Sequence, residues 1–258
     1  MIADGSACED NMKIRRANAA PFQRGFSLVE LMVSMFILLV VFGIVLDALV
    51  SLQRRNSAEN AKMDITQSSR EFVDQAVRDL HQAGFPNTNM YNAPSAPAIN
   101  NVNVAAGLVS VTPNSVQFEG DLDNNGTVQS VTIQLVGSDG VTVGGACPCT
   151  LRRGRMNKVL GSPFQQPAGD QLPPTYYSEL ANVATSNAFA AYDKYGYAVP
   201  LPIDLNTAPV ATASPASPVT IKSIKTIRMV VNVQSPHPDL QNKVAPIVSM
   251  SSEARIYN

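Results

Sequence analysis

The chain has 258 residues, of which 45% are hydrophobic and 15% are charged, and its formal net charge is −1. This length is enough for one sizeable hydrophobic core. The near-zero net charge excludes a generally basic surface of the kind that binds nucleic acids, so no nucleic-acid partner is expected. Two histidines, His81 and His237, are too few for a histidine-rich metal site.

The N-terminal part combines a basic leader with a long apolar run. Residues 1–25 are polar and contain four basic residues, namely Lys13, Arg15, Arg16 and Arg24. The run over residues 26–52 follows, and its only charges are Glu30 and Asp47. At about 1.5 Å per residue it spans a bilayer core. It is too long for a cleaved secretory signal and does not end in small residues. We predict one membrane helix with a cytoplasmic leader.

The helix is predicted to continue beyond the membrane. Residues 51–83 contain no proline or glycine, and Gly84 and Pro86 then provide a stop signal. Apolar residues recur on one face at helical spacing. They are Phe72, Val73, Ala76, Val77, Leu80 and Ala83. We therefore predict one continuous helix over residues 27–83, with a transmembrane half and an amphipathic half that packs on another element.

Beyond Pro86 the apolar residues alternate with period two, as in β-strands. "SVQFEGDLDNNGTVQSVTIQLV" (115–136) predicts two strands joined by a hairpin turn at Asn125-Gly126. "CTLRRGRMNKVL" indicates a further strand and turn, and the alternation returns in "KTIRMVVNVQS" and "VSMSSEARIYN". Residues 161–218 are rich in Pro, Ser, Ala and Tyr, and an irregular region is expected there. The predicted fold class is α+β, a long helix packed on an antiparallel β-sheet.

Two short motifs leave alternatives open. Cys147 and Cys149 form a C-x-C pair, which is either a small local disulfide ring or two thiols in a loop, and the spacing fits no complete zinc set. Asp121, Asp123 and Asn125 occupy positions 1, 3 and 5 of a calcium-loop pattern, but position 12 is a threonine and a strand follows. A hairpin turn is the favoured interpretation, with a weak calcium site as the alternative. No cofactor is predicted.

Arginine and tyrosine clusters lie in the C-terminal half. "LRRGR" (151–155) is interpreted as a solvated turn rather than a DNA contact. Five of the seven tyrosines fall between Tyr176 and Tyr197. Their side chains are expected to pack against loops and neighbouring strands. The alternative is that they form a surface patch that binds a glycan or a partner. No motif for nucleophilic or acid–base catalysis is present, so an enzyme is not predicted.

The segment "RGFSLVELMVSMFILLVVFGIVL" (24–46) resembles the processing and assembly segment of type IV pilins and pseudopilins. The matching features are the basic leader, Gly25, Phe26, Glu30 and the apolar helix. Three shorter pieces, in the order in which they occur, are similar to PilW-type minor pilins and J-type minor pseudopilins of type II secretion. They are "FVDQAVRDLHQAGF", "GDLDNNGTVQSVTIQL" and the closing "IRMVVNVQSPHPDL" with "EARIYN".

The resemblance implies a pilin-like fold and a sequence of processing steps. A prepilin peptidase is expected to cut after Gly25 and to methylate the new N-terminus at Phe26. Glu30 is then expected to pair with the Phe26 amine of a neighbouring subunit when the helices enter a filament.

The resemblance also implies a division of the chain and a set of partners. Residues 1–25 would be a cleaved leader, 26–52 the polymerisation helix, 53–85 its periplasmic half and 86–258 a globular sheet domain. The partners would be the peptidase, other major and minor pilins or pseudopilins, and inner-membrane lipid. The chain would be held in the inner membrane with its C-terminal domain in the periplasm, and would then join a pilus or pseudopilus.

Three functional hypotheses follow from the sequence. The first is a minor pilin or pseudopilin that initiates or caps the assembly of a type IV pilus or a type II secretion pseudopilus. The second is a binding module, an adhesin displayed at a pilus tip through residues 161–218. The third is an unrelated single-pass membrane protein whose N-terminus resembles the processing signal.

Overall fold

The computed structural model describes residues 25–91, 98–160, 175–212, 218–236 and 243–257, together with Pro215 and Pro238. The chain divides into two compact units, Met1–Ser51 and Leu52–Asn258. One helix, α1, runs from Leu28 to His81, as the absence of proline and glycine after residue 50 predicts. The predicted continuous helix is therefore confirmed, with ends within two residues of the expected ones.

In the described residues, ten strands and two short 3₁₀ helices (Thr88–Met90 and Ile221–Ser223) follow α1. The strands are β1 (Leu108–Val111), β2 (Ser115–Gly120), β3 (Gln129–Val136), β4 (Cys149–Asn157), β5 (Thr175–Val183), β6 (Phe189–Asp193), β7 (Ala198–Val199), β8 (Ile203–Asp204), β9 (Ile224–Gln234) and β10 (Ile247–Arg255). They form one sheet in the order β7-β6-β9-β5-β4-β3-β2-β1-β8, and β10 pairs with β9. All of these pairs are antiparallel, so the α+β class is confirmed.

The hydrophobic core lies between the C-terminal part of α1 and one face of the sheet. Five of the six predicted stripe residues are buried, namely Phe72, Val73, Ala76, Leu80 and Ala83, while Val77 packs partly exposed against the same cluster. On β9 the alternating residues Ile227, Met229, Val231 and Val233 are all buried. Burying each large aliphatic side chain contributes about 1.5–3 kcal/mol. The apolar stripe of α1 and the alternating buried residues of β9 are both part of this core.

The structure corrects the prediction of an irregular region at residues 161–218 over the main part that it describes, residues 175–212; residues 161–174 lie outside the described part of the chain. Strands β5 to β8 lie within residues 175–204. Strand β5 lies between β4 and β9 in the sheet order, pairing with β4 from Thr175 to Val183 and with β9 at Val183 alone. Its register is broken by irregularities near Cys149 and Leu151. Polar residues and register breaks obscure the period-two pattern in this part of the sequence.

One further local prediction is wrong, and another is confirmed with a longer connection than expected. "LRRGR" is not a turn, since residues 151–155 form the middle of β4, paired with β3 and β5. The predicted β2–β3 hairpin is confirmed, but its connection is an eight-residue loop rather than a two-residue turn. The Asp121 carboxylate holds this loop by accepting hydrogen bonds from the backbone N–H groups of Asn125 and Gly126.

Candidate functional site

The first candidate site is the N-terminal apolar segment, residues 25–50. Phe26 precedes the helix and is 81% exposed. The backbone N–H of Leu31 donates to the carbonyl of Ser27, which closes the first turn of α1. Glu30 lies within this turn, where a carboxylate interacts favourably with the positive end of the helix dipole. The proposed cut site, the proposed amine and the acid thus lie within six consecutive residues.

Every side chain over residues 25–50 is exposed in the isolated chain. The segment is almost wholly apolar, and α1 is the one helix among the described residues that is long and apolar enough to cross a membrane. Glu30 and Asp47 are about 25 Å apart along the helix axis at the standard rise per residue. This separation is close to the roughly 30 Å of a bilayer core.

Gly25 makes no packing demand on the structure. A Cβ atom built at Gly25 meets no atom within 4 Å, and the same holds for Gly43 inside the helix. A methyl group at either position would therefore meet no neighbouring atom of the described chain.

The second candidate site is the junction where α1 ends on the sheet. The backbone N–H of Gly84 donates to the Glu119 carbonyl at 2.9 Å, and that of Asp121 donates to the Phe85 carbonyl at 2.8 Å. A Cβ atom at Gly120 would lie 2.5 Å from the carbonyl oxygen of Gln82. Only glycine permits this close approach between β2 and the end of the helix.

An ion pair joins the helix to β4 beside this junction. An Arg153 guanidinium nitrogen lies 2.6 Å from a carboxylate oxygen of Asp79, whose side chain is almost fully buried. The amide of Gln75 donates to the other oxygen at 2.7 Å. Burial raises the pKa of Asp79, and the attraction of Arg153 opposes that shift. Both carboxylate oxygens are engaged, so this acid fixes helix to sheet.

A second ion pair is completely buried. The Lys158 ammonium lies 2.6 Å from Glu119 Oε2, and neither side chain is exposed. Lys158 also donates to the carbonyl of Val104, and the backbone N–H of Ala106 donates to the Glu119 carboxylate. Burial raises the pKa of Glu119. The pair holds the segment between α1 and β1 against the sheet. We therefore assign it a structural role.

The candidate calcium residues are brought together, but their oxygens already accept internal hydrogen bonds. Asp121 caps the loop backbone, and Asp123 accepts from the Gln129 amide at 2.8 Å and pairs with Arg155 at 3.0 Å. The Gln129 hydrogen bond is the main cause of a lowered pKa at Asp123. Among the described residues, no group of three or more His, Cys, Asp or Glu side chains could hold a metal. The geometry favours the hairpin-loop interpretation.

The remaining predicted features are the cysteine pair and the tyrosine cluster. Cys147 and Cys149 form a local disulfide, one of the two expected alternatives. Tyr195 and Tyr197 flank a tight β6–β7 hairpin, in which Asp193 accepts from both of their backbone N–H groups. Both rings are substantially exposed, as is that of Tyr177 on β5. Sequence reasoning missed the two buried ion pairs, whose partners are far apart along the chain.

Comparison with known proteins yields one positive result. Residues 21–46 match the family model described as the prokaryotic N-terminal methylation motif. The chain therefore carries a type IV pilin-like prepilin signal, and that motif belongs to structural rather than catalytic proteins. The match covers about a tenth of the chain. Neither the curated proteins nor the solved structures contain a significant match.

Proposed function

We propose that this protein is a minor pilin or pseudopilin that initiates or caps the assembly of a type IV pilus or a type II secretion pseudopilus. The observation that carries the proposal is the methylation motif at residues 21–46 on a helix whose first half exposes an almost wholly apolar surface. The α+β architecture, with the end of the helix packed on an antiparallel sheet, supports it.

The proposed division of the chain follows its sequence and its units. Residues 1–25 are the leader, 26–52 the membrane and polymerisation helix, 53–85 the periplasmic half of α1, and 86–258 the sheet domain. Before assembly the inner membrane holds the apolar segment, and the C-terminal domain lies in the periplasm. The partners are the prepilin peptidase, lipid and other pilins or pseudopilins.

The mechanism begins with cleavage after Gly25, which creates a charged amine on Phe26 that is then methylated. A carboxylate inside a bilayer costs about 2.5–3.5 kcal/mol at the centre and less near its boundary. When helices bundle, the Phe26 amine of a neighbouring subunit neutralises Glu30. A charge pair in a low-dielectric environment is sensitive to position, because an unmatched partner stays buried and unpaired. The pairing therefore sets the register of the helices.

The processing step is tested by mass spectrometry of the mature N-terminus. We expect N-methylated Phe26 in the wild-type protein and an intact leader in Gly25→Val. Gly43→Val is the matched control, because both glycines have free space around them, and it should be processed normally. An intact leader on the wild-type protein would contradict the proposal and favour an unrelated membrane protein.

A second candidate function is a tip-displayed adhesin. The observation in its favour is the hydrogen-bonded β6–β7 hairpin, which presents Tyr195 and Tyr197 as exposed rings, with the Lys194 ammonium 4.8 Å from the Tyr195 ring centre. Exposed aromatic side chains on a fixed turn suit binding to a glycan or a surface.

Deleting residues 161–218 cannot test the adhesin, because it would remove strand β5 from inside the sheet. The double variant Tyr195→Ser/Tyr197→Ser leaves the core intact and is the better test. Lost adhesion with normal piliation would support the adhesin, and Tyr257→Ser provides a control at another exposed ring. Unchanged adhesion would eliminate this hairpin as the binding site.

A further inference from the structure

Strand β10 is a long free edge of the sheet. It pairs with β9 in unbroken register over all nine residues, from Ile247↔Gln234 to Arg255↔Thr226. Among the described residues, no strand pairs with its other side. The other two ends of the sheet are β7 and β8, each only two residues long. Short edge strands prevent unwanted pairing, and β10 lacks this protection.

The free backbone groups of β10 can be assigned by residue. The N–H of Ile256 donates to the Lys225 carbonyl, and the N–H of Ser235 donates to the Pro246 carbonyl. Hydrogen-bonded pairs alternate along an antiparallel ladder, so the even-numbered residues of β10 bond to β9. The N–H and C=O groups of the five odd-numbered residues point to the open edge. They are Ile247, Ser249, Ser251, Glu253 and Arg255.

The first six residues of β10, from Ile247 to Ser252, contain none of the usual edge-blocking devices. The strand has no proline and no bulge, and its two charges, Glu253 and Arg255, lie at one end. The centre of the exposed face consists of Ser249 and Ser251, which are small and uncharged. On the opposite face Met250 is only half-buried, which leaves apolar surface for an added strand to cover.

We propose that β10 pairs with β10 of a second copy of this chain, antiparallel about a two-fold axis through Ser251. This register uses all nine residues and all five free N–H and C=O pairs. It places Ser251 against Ser251, Ser249 against Glu253, and Ile247 against the aliphatic stem of Arg255. A hydroxyl facing a carboxylate is a favourable cross-strand pair.

The length of the overlap selects this register over its neighbours. Shifts by two residues, which centre the axis on Met250 or Ser252, shorten the paired stretch from nine residues to seven. Shifts by four residues shorten it to five, and the one that centres on Glu253 also sets two carboxylates directly opposite each other, which is unfavourable. The proposal goes beyond the proposed function and does not depend on filament entry, because it concerns the sheet domain alone.

Disulfide trapping in the full chain tests the pairing. In a Cys8→Ser background, Ser251→Cys should cross-link to twice the monomer mass under mild oxidation, because Cα atoms of a hydrogen-bonded pair are about 5.5 Å apart, within disulfide range. Ser249→Cys is the matched control, since its two copies would be offset by four residues, about 13 Å. Equal cross-linking at both positions, or none at Ser251→Cys, would overturn the proposal.

A second experiment tests the same register without relying on the cysteine at position 251. Coexpressed Ser249→Cys and Glu253→Cys copies should cross-link to each other, and Ser251→Pro in both should abolish the product. The Ser251 N–H points away from β9, so proline there removes no internal hydrogen bond. Unchanged cross-linking in Ser251→Pro would overturn strand pairing. If Ser251→Cys forms a disulfide with a different protein and no dimer, the partner at the open edge of β10 is not a second copy, and the proposal is overturned.

Discussion

At the residue scale, ionisable side chains divide into two groups by environment. Glu30 and Asp47 are exposed on an apolar helix, with no ion pair seen for either in the described chain. Glu119 and Lys158, in contrast, are completely buried and contact each other. A buried charge is tolerated when it is paired and hydrogen-bonded. The sheet domain supplies the partner of Glu119 internally, whereas the proposed partner of Glu30 is the N-terminal amine of a neighbouring subunit.

The Glu30 pairing predicts a selective loss of filament entry. Glu30→Gln should be cleaved and methylated normally but should be lost from purified filaments, since it cannot neutralise the neighbouring amine. Asp47→Asn, on the same helix, should enter filaments at wild-type levels. Quantitative immunoblotting of sheared filaments against the membrane fraction provides the measurement. Normal incorporation of Glu30→Gln would refute the pairing.

The buried pair predicts a large stability effect. Lys158→Met should lower the free energy of unfolding by about 3–5 kcal/mol, because it leaves the Glu119 carboxylate buried without its partner. Urea denaturation of the purified protein measures this loss. The double variant Lys158→Met/Glu119→Gln should recover part of the stability, since both charges are then absent.

The sign of the pH dependence follows from the raised pKa of Glu119. A carboxyl whose pKa is higher in the folded than in the unfolded protein favours folding at low pH, and this contribution is lost as the pH rises through the folded value. The loss in free energy of unfolding caused by Lys158→Met should therefore be largest at neutral pH and should become smaller on acidification. A deficit that is constant with pH would show that Glu119 is not its source.

At the element scale, periodic segments were predictable and short or irregular ones were not. The C-terminal part of α1 and strand β9 each bury one face, and the apolar residues of β2 and β3 alternate, so their period is visible in the sequence. Strands β7 and β8 are two residues long and exist only because neighbouring strands pair with them. The Asp79–Arg153 contact joins residues 74 positions apart, and no local pattern encodes it.

The helix–sheet junction predicts a costly glycine substitution. Gly120→Ala should destabilise the protein by about 1–3 kcal/mol, the usual cost of overpacking, because the new Cβ meets the Gln82 carbonyl at 2.5 Å. Gly43→Ala, which meets no atom within 4 Å, is the control and should leave the unfolding midpoint unchanged. Equal stability of the two variants would show that the junction can relax.

At the whole-molecule scale, function and stability are encoded in different parts of the sequence. The methylation motif at residues 21–46 is what indicated a class of protein. The buried residues that the structure describes lie between Ser69 and Ile256. Core positions accept many apolar side chains, so a sheet domain can keep its fold without a sequence that identifies its partners. The fold class was therefore predictable, whereas the machine that uses the protein was not.

This separation predicts the outcome of truncation. A fragment starting at Leu52 should unfold cooperatively with the same free energy as the full chain in detergent, because it retains all the described buried residues. A fragment starting at Pro86 should not fold, since it lacks the stripe that includes Phe72 and Leu80. Chemical denaturation followed by circular dichroism compares them. A folded Pro86 fragment would contradict the assigned core.

The junction at Gly84 and Phe85 also has a mechanical consequence. Its two hydrogen bonds join main-chain atoms, Gly84 to Glu119 and Asp121 to Phe85. A pulling force on the end of α1 is therefore transmitted to β2 through peptide groups, and from β2 along the neighbouring strands. Peptide groups are common to all residues, so this force-bearing connection persists when the surrounding side chains change.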